Sequence, residues 1–145
     1  MSMVDVSAKP EVYREAKAKG AIKLKPETLQ LIREGKIEKG NPFEVAKVAG
    51  ILAAKNTSSM IPLCHPLPLT GVDVNLQIVG DLKVEVETTV KTRAQTGVEM
   101  EALAAAATAL LTVWDMTKQY EKDPQGQYPS TSIQNLHVVS KVKEK

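Results

Sequence analysis

Two segments in the middle of the chain alternate between apolar and polar residues. In Val72–Ile78, Val, Leu and Ile alternate with Asp, Asn and Gln, and in Leu82–Val90, Leu and Val alternate mainly with Lys, Glu and Thr. Successive side chains of a strand point to opposite faces, so this pattern predicts two half-buried strands. Gly80-Asp81 lies between them as a turn, and the pair is therefore predicted to be an antiparallel hairpin with one dry face.

Helical signals appear before and after the hairpin. Pro26 suits the first turn of a short helix that runs to about Arg33 and is stopped by Gly35. Gly97 precedes a long apolar segment that predicts a helix from about Val98 to Tyr120.

A second helix is predicted at about Phe43–Lys55. Asn41 suits its N-cap and Pro42 its first helical position. Apolar residues recur at i, i+3, i+4 and i+7, which predicts a stripe that faces a core; the stripe consists of Val45, Val48, Ala49 and Leu52.

The remaining segments complete the predicted order of elements. Val4–Ser7 and parts of Val12–Leu24 read as extended, although Arg14–Lys19 is ambiguous between strand and helix, and Gln134–Val142 reads as a last strand. The resulting βαββαβ order predicts an α+β protein with a ferredoxin-like sandwich, in which helices pack on one face of an antiparallel sheet.

The long helix carries one narrow polar stripe. At about 100° per residue, its polar positions fall within roughly 60° of one another; they are Glu101, Thr108, Thr112 and Asp115. The stripe is either a solvent-facing edge or the wall of a pocket, and Lys118 can pair with Asp115 at i, i+3 in both cases. Because the rest of Val98–Met116 is apolar nearly all round, we expect it to exceed what one small domain covers and to need a partner subunit.

Met60–Leu69 is the most unusual segment of the chain. Its letters are MIPLCHPLPL, so three prolines surround the only cysteine, Cys64, and one of the two histidines, His65. Proline fixes φ and disfavours helix at the preceding residue, which holds this segment stiff and non-helical. The simpler interpretation is a loop with a buried cysteine and a hydrogen-bonded histidine.

Composition excludes several classes of protein. A net charge of +2 over 145 residues, with one Trp, three Tyr and one Phe, does not suggest nucleic-acid binding. A single cysteine rules out an internal disulfide and fits a reducing compartment. The N-terminus resembles no signal peptide and no segment reaches the ~20 apolar residues of a membrane span, so we expect a soluble, cytoplasmic protein. The residues also contain no zinc motif, nucleophile elbow or glycine-rich phosphate loop.

Seven blocks of sequence resemble the MoaC-type cyclic pyranopterin monophosphate synthases of molybdenum cofactor biosynthesis. The blocks occur in order along the chain as far as about Asp123, whereas the residues from Pro124 onward depart from the bacterial pattern of that family. They are Met3–Lys9, Arg14–Ala16, Lys39-Gly40, Ala49–Lys55, Ile61–Leu67, Thr96–Leu103 and Asp115–Lys118.

The resemblance implies one domain over residues 1–145 and a lyase-type activity. Enzymes of this family convert a 3′,8-cyclised dihydroguanosine triphosphate into cyclic pyranopterin monophosphate and diphosphate, without a metal or other cofactor. The family resemblance also implies a homohexamer, built as a trimer of dimers, with sites between the subunits of a dimer.

The resemblance also assigns residues. Asp115, Lys118 and Lys39 match catalytic positions of the family. The matching substrate-contacting positions are Leu63, Cys64, His65, Glu99, Met100 and Glu101, and the basic positions expected at the phosphates or the ring are Lys9, Arg14 and Lys55.

Two other functions agree with the same elements. A non-catalytic ferredoxin-like module for a purine nucleotide would use the basic residues but would not need Asp115 or the lysine pair. A purely structural oligomerisation domain would bind no such ligand.

Overall fold

A computed structural model describes all 145 residues and contains four strands and four helices. In chain order they are β1 (Val12–Lys23), α1 (Pro26–Arg33), α2 (Pro42–Lys55), α3 (Thr57–Met60), β2 (Leu69–Val79), β3 (Lys83–Ala94), α4 (Glu99–Glu121) and β4 (Ser132–Glu144). The sheet has the order β2-β3-β1-β4, and every neighbouring pair is antiparallel. The predicted ferredoxin-like α+β sandwich is confirmed, with the helices packed on one face of the sheet.

The core lies between the sheet and the long helix α4. Alternate residues of β1 and β3 point inward, as their burial patterns show. They meet the buried face of α4, which is built largely from alanines and is completed by Leu110 and Val113. Small side chains let the helix lie close to the sheet, and α2 then packs beside α4 over β2.

The segment Arg14–Lys19, whose pattern was ambiguous, lies within β1. Ala16 and Ala18 are fully buried, whereas Lys17 and Lys19 are only half-buried. The strand pairs with β3 on one side and β4 on the other, so its lysines occupy the open face of the sheet. The extended strand expected at Val4–Ser7 does not form.

The apolar stripe predicted on α2 faces away from the core of the protomer. Val45, Val48 and Leu52 are exposed, and Ala49 is half-buried. The face that packs inward consists of smaller residues: Ala46, Gly50, Ala53 and Ala54. A Cβ added to Gly50 would lie 3.1 Å from the carbonyl oxygen of Ala105 on α4, so close helix packing selects the small face and leaves the large aliphatic residues outside.

The expectation that α4 carries the excess apolar surface is also corrected. Most of its apolar residues are covered by the sheet and α2 within one protomer, and Leu111 and Met100 are its large hydrophobic residues that stay exposed. Among the helices, α2 leaves the most aliphatic surface uncovered, with Val45, Val48, Ile51 and Leu52 exposed. No helix is both long enough and apolar enough to cross a membrane.

Candidate active site

Three charged side chains meet at the C-terminal part of α4. Asp115 and Lys118 lie one helical turn apart, and the Lys118 Nζ is 3.3 Å from Asp115 Oδ1. Lys39 reaches the same carboxylate from the loop between α1 and α2, with its Nζ 3.5 Å from Oδ2. The Lys39 ammonium also donates a hydrogen bond of 2.9 Å to the backbone carbonyl of Asp115. We call these three residues the lysine–aspartate cluster.

The cluster places two cations around one anion. The hydrogen bond from Lys118, and then the positive charge of Lys39, hold the pKa of Asp115 below its usual range. Asp115 is therefore ionised at neutral pH and the cluster carries one net positive charge. The Asp115 side chain is 62% exposed in one protomer, so solvent and incoming ligands can reach all three groups.

A cavity of about 300 Å³ lies at the other end of α4. Its wall contains most of the substrate-contacting residues predicted from the sequence, joined by Thr96 and Gly97 from the segment before the helix. The lining residues are Ile61, Leu63, Cys64, His65, Leu67, Thr96, Gly97, Glu99 and Met100. We call this space the Cys-His pocket.

The N-terminal segment contacts the histidine of the pocket. A ring nitrogen of His65, Nε2, lies 2.6 Å from the backbone carbonyl of Val4. A carbonyl oxygen can only accept, so Nε2 carries the proton in this contact. The first sequence block of the chain therefore orients His65.

Glu101 lies behind the pocket rather than in its wall. It is 3% exposed, its Oε2 is 3.9 Å from the Cys64 Sγ, and its Oε1 has no hydrogen-bond partner. Burial is the main reason why the pKa of Glu101 is raised, and the charge of Glu99 adds to it. Burial, followed by the negative charge of Glu101, also raises the pKa of the Cys64 thiol. Cys64 is therefore a poor nucleophile at neutral pH.

The three predicted basic residues occupy different environments. Arg14 is buried, and its Nε and Nη2 donate hydrogen bonds of 3.0 and 3.3 Å to the carbonyls of Ala94 and Gln95. It lines a smaller cavity of about 110 Å³, which shares Gly97 and Glu99 with the Cys-His pocket. Lys9 and Lys55 are exposed and form no ion pair within the protomer.

The lining of this smaller cavity includes two lysines that sequence reasoning missed. Lys141 and Lys143 come from β4 and lie near Arg14, which pairs with Lys143 across the strands. The alternation of lysines at 141, 143 and 145 placed them on one face of a strand. That signal was present in the sequence, but the partner strand was not known.

The polar stripe of α4 connects two unlike environments. Its Glu101 end is buried, its middle is half-buried, with the Thr112 hydroxyl donating to the carbonyl of Thr108, and its Asp115 end is exposed. Fourteen residues separate Glu101 from Asp115, which at 1.5 Å per residue is about 21 Å along the helix axis. One protomer therefore does not bring the lysine–aspartate cluster and the Cys-His pocket together.

Comparisons with known proteins agree on one family. The profile of the MoaC family matches residues 3–144. A protein of Pyrococcus furiosus named "probable cyclic pyranopterin monophosphate synthase" is 57% identical over 144 residues, which is 99% of this chain and 92% of that protein. A protein of Saccharolobus solfataricus with the same name is 53% identical, with 99% and 95% of the two chains covered.

One relative carries a different name. A protein of Methanothermobacter thermautotrophicus is named "probable cyclic pyranopterin monophosphate synthase accessory protein". It is 53% identical over 141 residues, which is 97% of this chain and 88% of that protein.

Proposed function

Because the chain belongs to the MoaC family, we propose that it is a cyclic pyranopterin monophosphate synthase. The proposed substrate is (8S)-3′,8-cyclo-7,8-dihydroguanosine 5′-triphosphate, and the products are cyclic pyranopterin monophosphate and diphosphate. The observation that carries this proposal beyond the family resemblance is the lysine–aspartate cluster, in which two ammonium groups share one ionised carboxylate.

The cluster suits a rearrangement that moves several protons. A purine-derived ring must open and close again as a pterin, which requires an acid to protonate a leaving nitrogen and a base to deprotonate an attacking one. An ammonium group can donate such a proton and its amine form can remove one. We assign these roles to Lys39 and Lys118, and assign to Asp115 the task of holding and orienting the two lysines.

The Cys-His pocket suits the ring of the substrate. Its wall combines aliphatic side chains with His65 and Glu99, which is the usual make-up of a small-molecule site. The prolines at 62, 66 and 68 hold the segment in shape before binding, so little conformational entropy is lost when the ring enters.

Basic residues beside the pocket suit the triphosphate. Two of the five N–H donors of Arg14 are used by backbone carbonyls, which leaves three for phosphate oxygens. Lys141 and Lys143 line the same small cavity. Cations there would neutralise the charge of the departing diphosphate when a ribose-derived hydroxyl attacks the α-phosphorus. Lys9 and Lys55 are proposed as further phosphate contacts.

We further propose that each active site is shared between two protomers. A separation of about 21 Å along α4 is too large for the lysine–aspartate cluster and the Cys-His pocket of one chain to act on the same ring. A dimer in which the cluster of one protomer faces the pocket of its partner would bring them together. The homohexamer implied by the family, a trimer of dimers, contains such pairs.

Uncovered aliphatic surface supports this assembly. Val45, Val48, Ile51 and Leu52 are exposed on α2, and Leu111 is exposed on α4. Exposed aliphatic side chains on adjacent helices are typical of protein–protein contacts. A partner protomer that covers them would gain the hydrophobic free energy that one protomer leaves unused.

Turnover of the cyclised triphosphate, followed by mass detection of the product, tests the proposed function. We expect the purified protein to release diphosphate and form the cyclic monophosphate without an added cofactor. Tight binding of a guanosine triphosphate analogue without turnover would instead indicate a non-catalytic nucleotide-binding module. If neither turnover nor binding were observed, a structural oligomerisation domain would be the better description.

A further inference from the structure

The loop that carries Lys39 is tied to the last turn of α4 by two hydrogen bonds. The backbone N–H of Glu38 donates to the Tyr120 hydroxyl at 2.9 Å. The side-chain amide of Gln119 donates to the Glu38 carboxylate, also at 2.9 Å. Both contacts fall on the residue that precedes Lys39, and neither touches Asp115 or Lys118.

These contacts matter because Lys39 is not held by burial. Its side chain is 41% exposed, and a long lysine side chain loses much conformational entropy when it is fixed in one rotamer. Glycines with positive φ flank this part of the loop on both sides: Gly35 at φ +67° and Gly40 at φ +120°. The backbone of such a loop is free to adopt several conformations unless other contacts restrict it.

The point to which the loop is tied is itself fixed. Glu121, the next residue of α4, is fully buried, and its carboxylate accepts hydrogen bonds from the Lys25 N–H and from the hydroxyls of Thr28 and Thr131. The C-terminal turn of α4 is therefore joined to the start of α1 and to the segment before β4. Tyr120 projects from a part of the molecule that cannot easily move.

We propose that Tyr120, assisted by Gln119, positions Lys39 in the lysine–aspartate cluster. Asp115 and Tyr120 belong to the same helix and are five residues apart, so the helix sets the distance between the carboxylate and the loop anchor. Tyr120 is a positioning residue, because its hydroxyl contacts the backbone of Glu38 and acts on chemistry only through Lys39. This inference rests on the proposed function.

The test compares Tyr120→Phe with Tyr128→Phe in the assembled protein. Tyr128 packs edge-on against Trp114, with ring centroids 5.2 Å apart, and serves as a matched control for loss of one phenol hydroxyl. Loss of one positioning hydrogen bond should lower kcat of Tyr120→Phe about tenfold and leave KM within about twofold, because phosphate and ring contacts persist. Hydrogen exchange at the Glu38 amide should become faster in Tyr120→Phe and stay unchanged in Tyr128→Phe.

A double-mutant cycle separates positioning from general stability. If Tyr120 acts through Lys39, adding Tyr120→Phe to Lys39→Ala should change the single-turnover rate constant by less than about twofold. This constant is measured with enzyme in excess over substrate. An unchanged kcat in Tyr120→Phe, or an equal loss in both backgrounds, would overturn the positioning role. Absence of turnover in the wild-type protein would overturn the proposed function, and this inference with it.

Discussion

The exposure of Asp115 is typical of an ordinary surface residue, whereas its contacts are typical of a functional site. It is largely exposed in one protomer, yet both of its carboxylate oxygens face a lysine ammonium group. Exposed ion pairs usually contribute only ~0–1 kcal/mol to stability. The arrangement of two lysines around one aspartate is therefore expected to add little to the fold, and under the proposed function its role is to act on the substrate.

Asp115→Asn should separate these two roles. We expect the free energy of unfolding to change by at most ~1 kcal/mol. Turnover should fall by several orders of magnitude, because the neutral amide no longer holds the two ammonium groups. Binding of a substrate analogue should weaken much less, since other residues hold the phosphates. Equal and small losses of turnover and affinity would return Asp115 to an ordinary surface role.

The two lysines should be needed individually. Replacement of Lys39 or Lys118 by Ala should lower turnover by a factor of about 10² or more, the usual scale for a positioned acid or base. Lys118→Arg should also fail, because a guanidinium does not release its proton near neutral pH. Circular dichroism should show an intact fold in each variant. Near wild-type rates in both alanine variants would contradict the assignment.

Glu101 should make stability depend on pH. Burial raises its pKa above the value in the unfolded chain, so the folded protein binds that proton more tightly. The stabilisation is fully present below the unfolded pKa and is lost as pH rises through the folded one. The glutamine side chain of the Glu101→Gln variant cannot ionise. The melting temperature of the variant minus that of the wild type should therefore increase as the pH is raised from 4 to 8. A gap that is constant over this range would show that Glu101 is not buried as a titrating group.

Among the helices and strands, the features that follow from local sequence patterns were predicted correctly. The face of α2 that packs inward depends on tertiary contacts and was predicted wrongly. Alternation in β2 and β3 and the cap at Asn41, which accepts hydrogen bonds from the N–H groups of Phe43 and Glu44, were confirmed. Periodicity also found an apolar stripe on α2, but it could not tell which of two apolar faces packs inward. The small face packs, because α4 approaches Gly50 too closely for a larger side chain.

The identities of the candidate site residues could be predicted from the sequence, but the distances between those residues could not. The motif blocks named Leu63, His65 and Met100, which share one pocket, and named Lys39, Asp115 and Lys118, which form one cluster. No local pattern states that α4 separates the two groups. Gln119 and Tyr120 were also missed, because their contacts with Glu38 span more than 80 positions of sequence.

For the whole molecule, uncovered surface on α2 leads to a prediction about assembly. Replacing Val48 by Lys places a charge on the exposed aliphatic surface and should dissociate the assembly toward a 15.7 kDa species. Lys47→Glu, at the exposed neighbouring position, is the control and should assemble normally. Analytical ultracentrifugation distinguishes the two results. A wild-type protein that sediments only as a monomer at micromolar concentration would contradict both the interface and the shared site.

Complementation between two inactive variants tests the shared active site most directly. Lys118→Ala removes part of the lysine–aspartate cluster and His65→Ala removes part of the Cys-His pocket, so each variant alone should be inactive. If the site is built from two protomers, coexpression with separate tags should yield mixed dimers in which one site retains both wild-type halves. Random pairing would then restore about a quarter of all sites. Turnover near that fraction is the predicted result, whereas mixed oligomers as inactive as either parent would contradict a shared site.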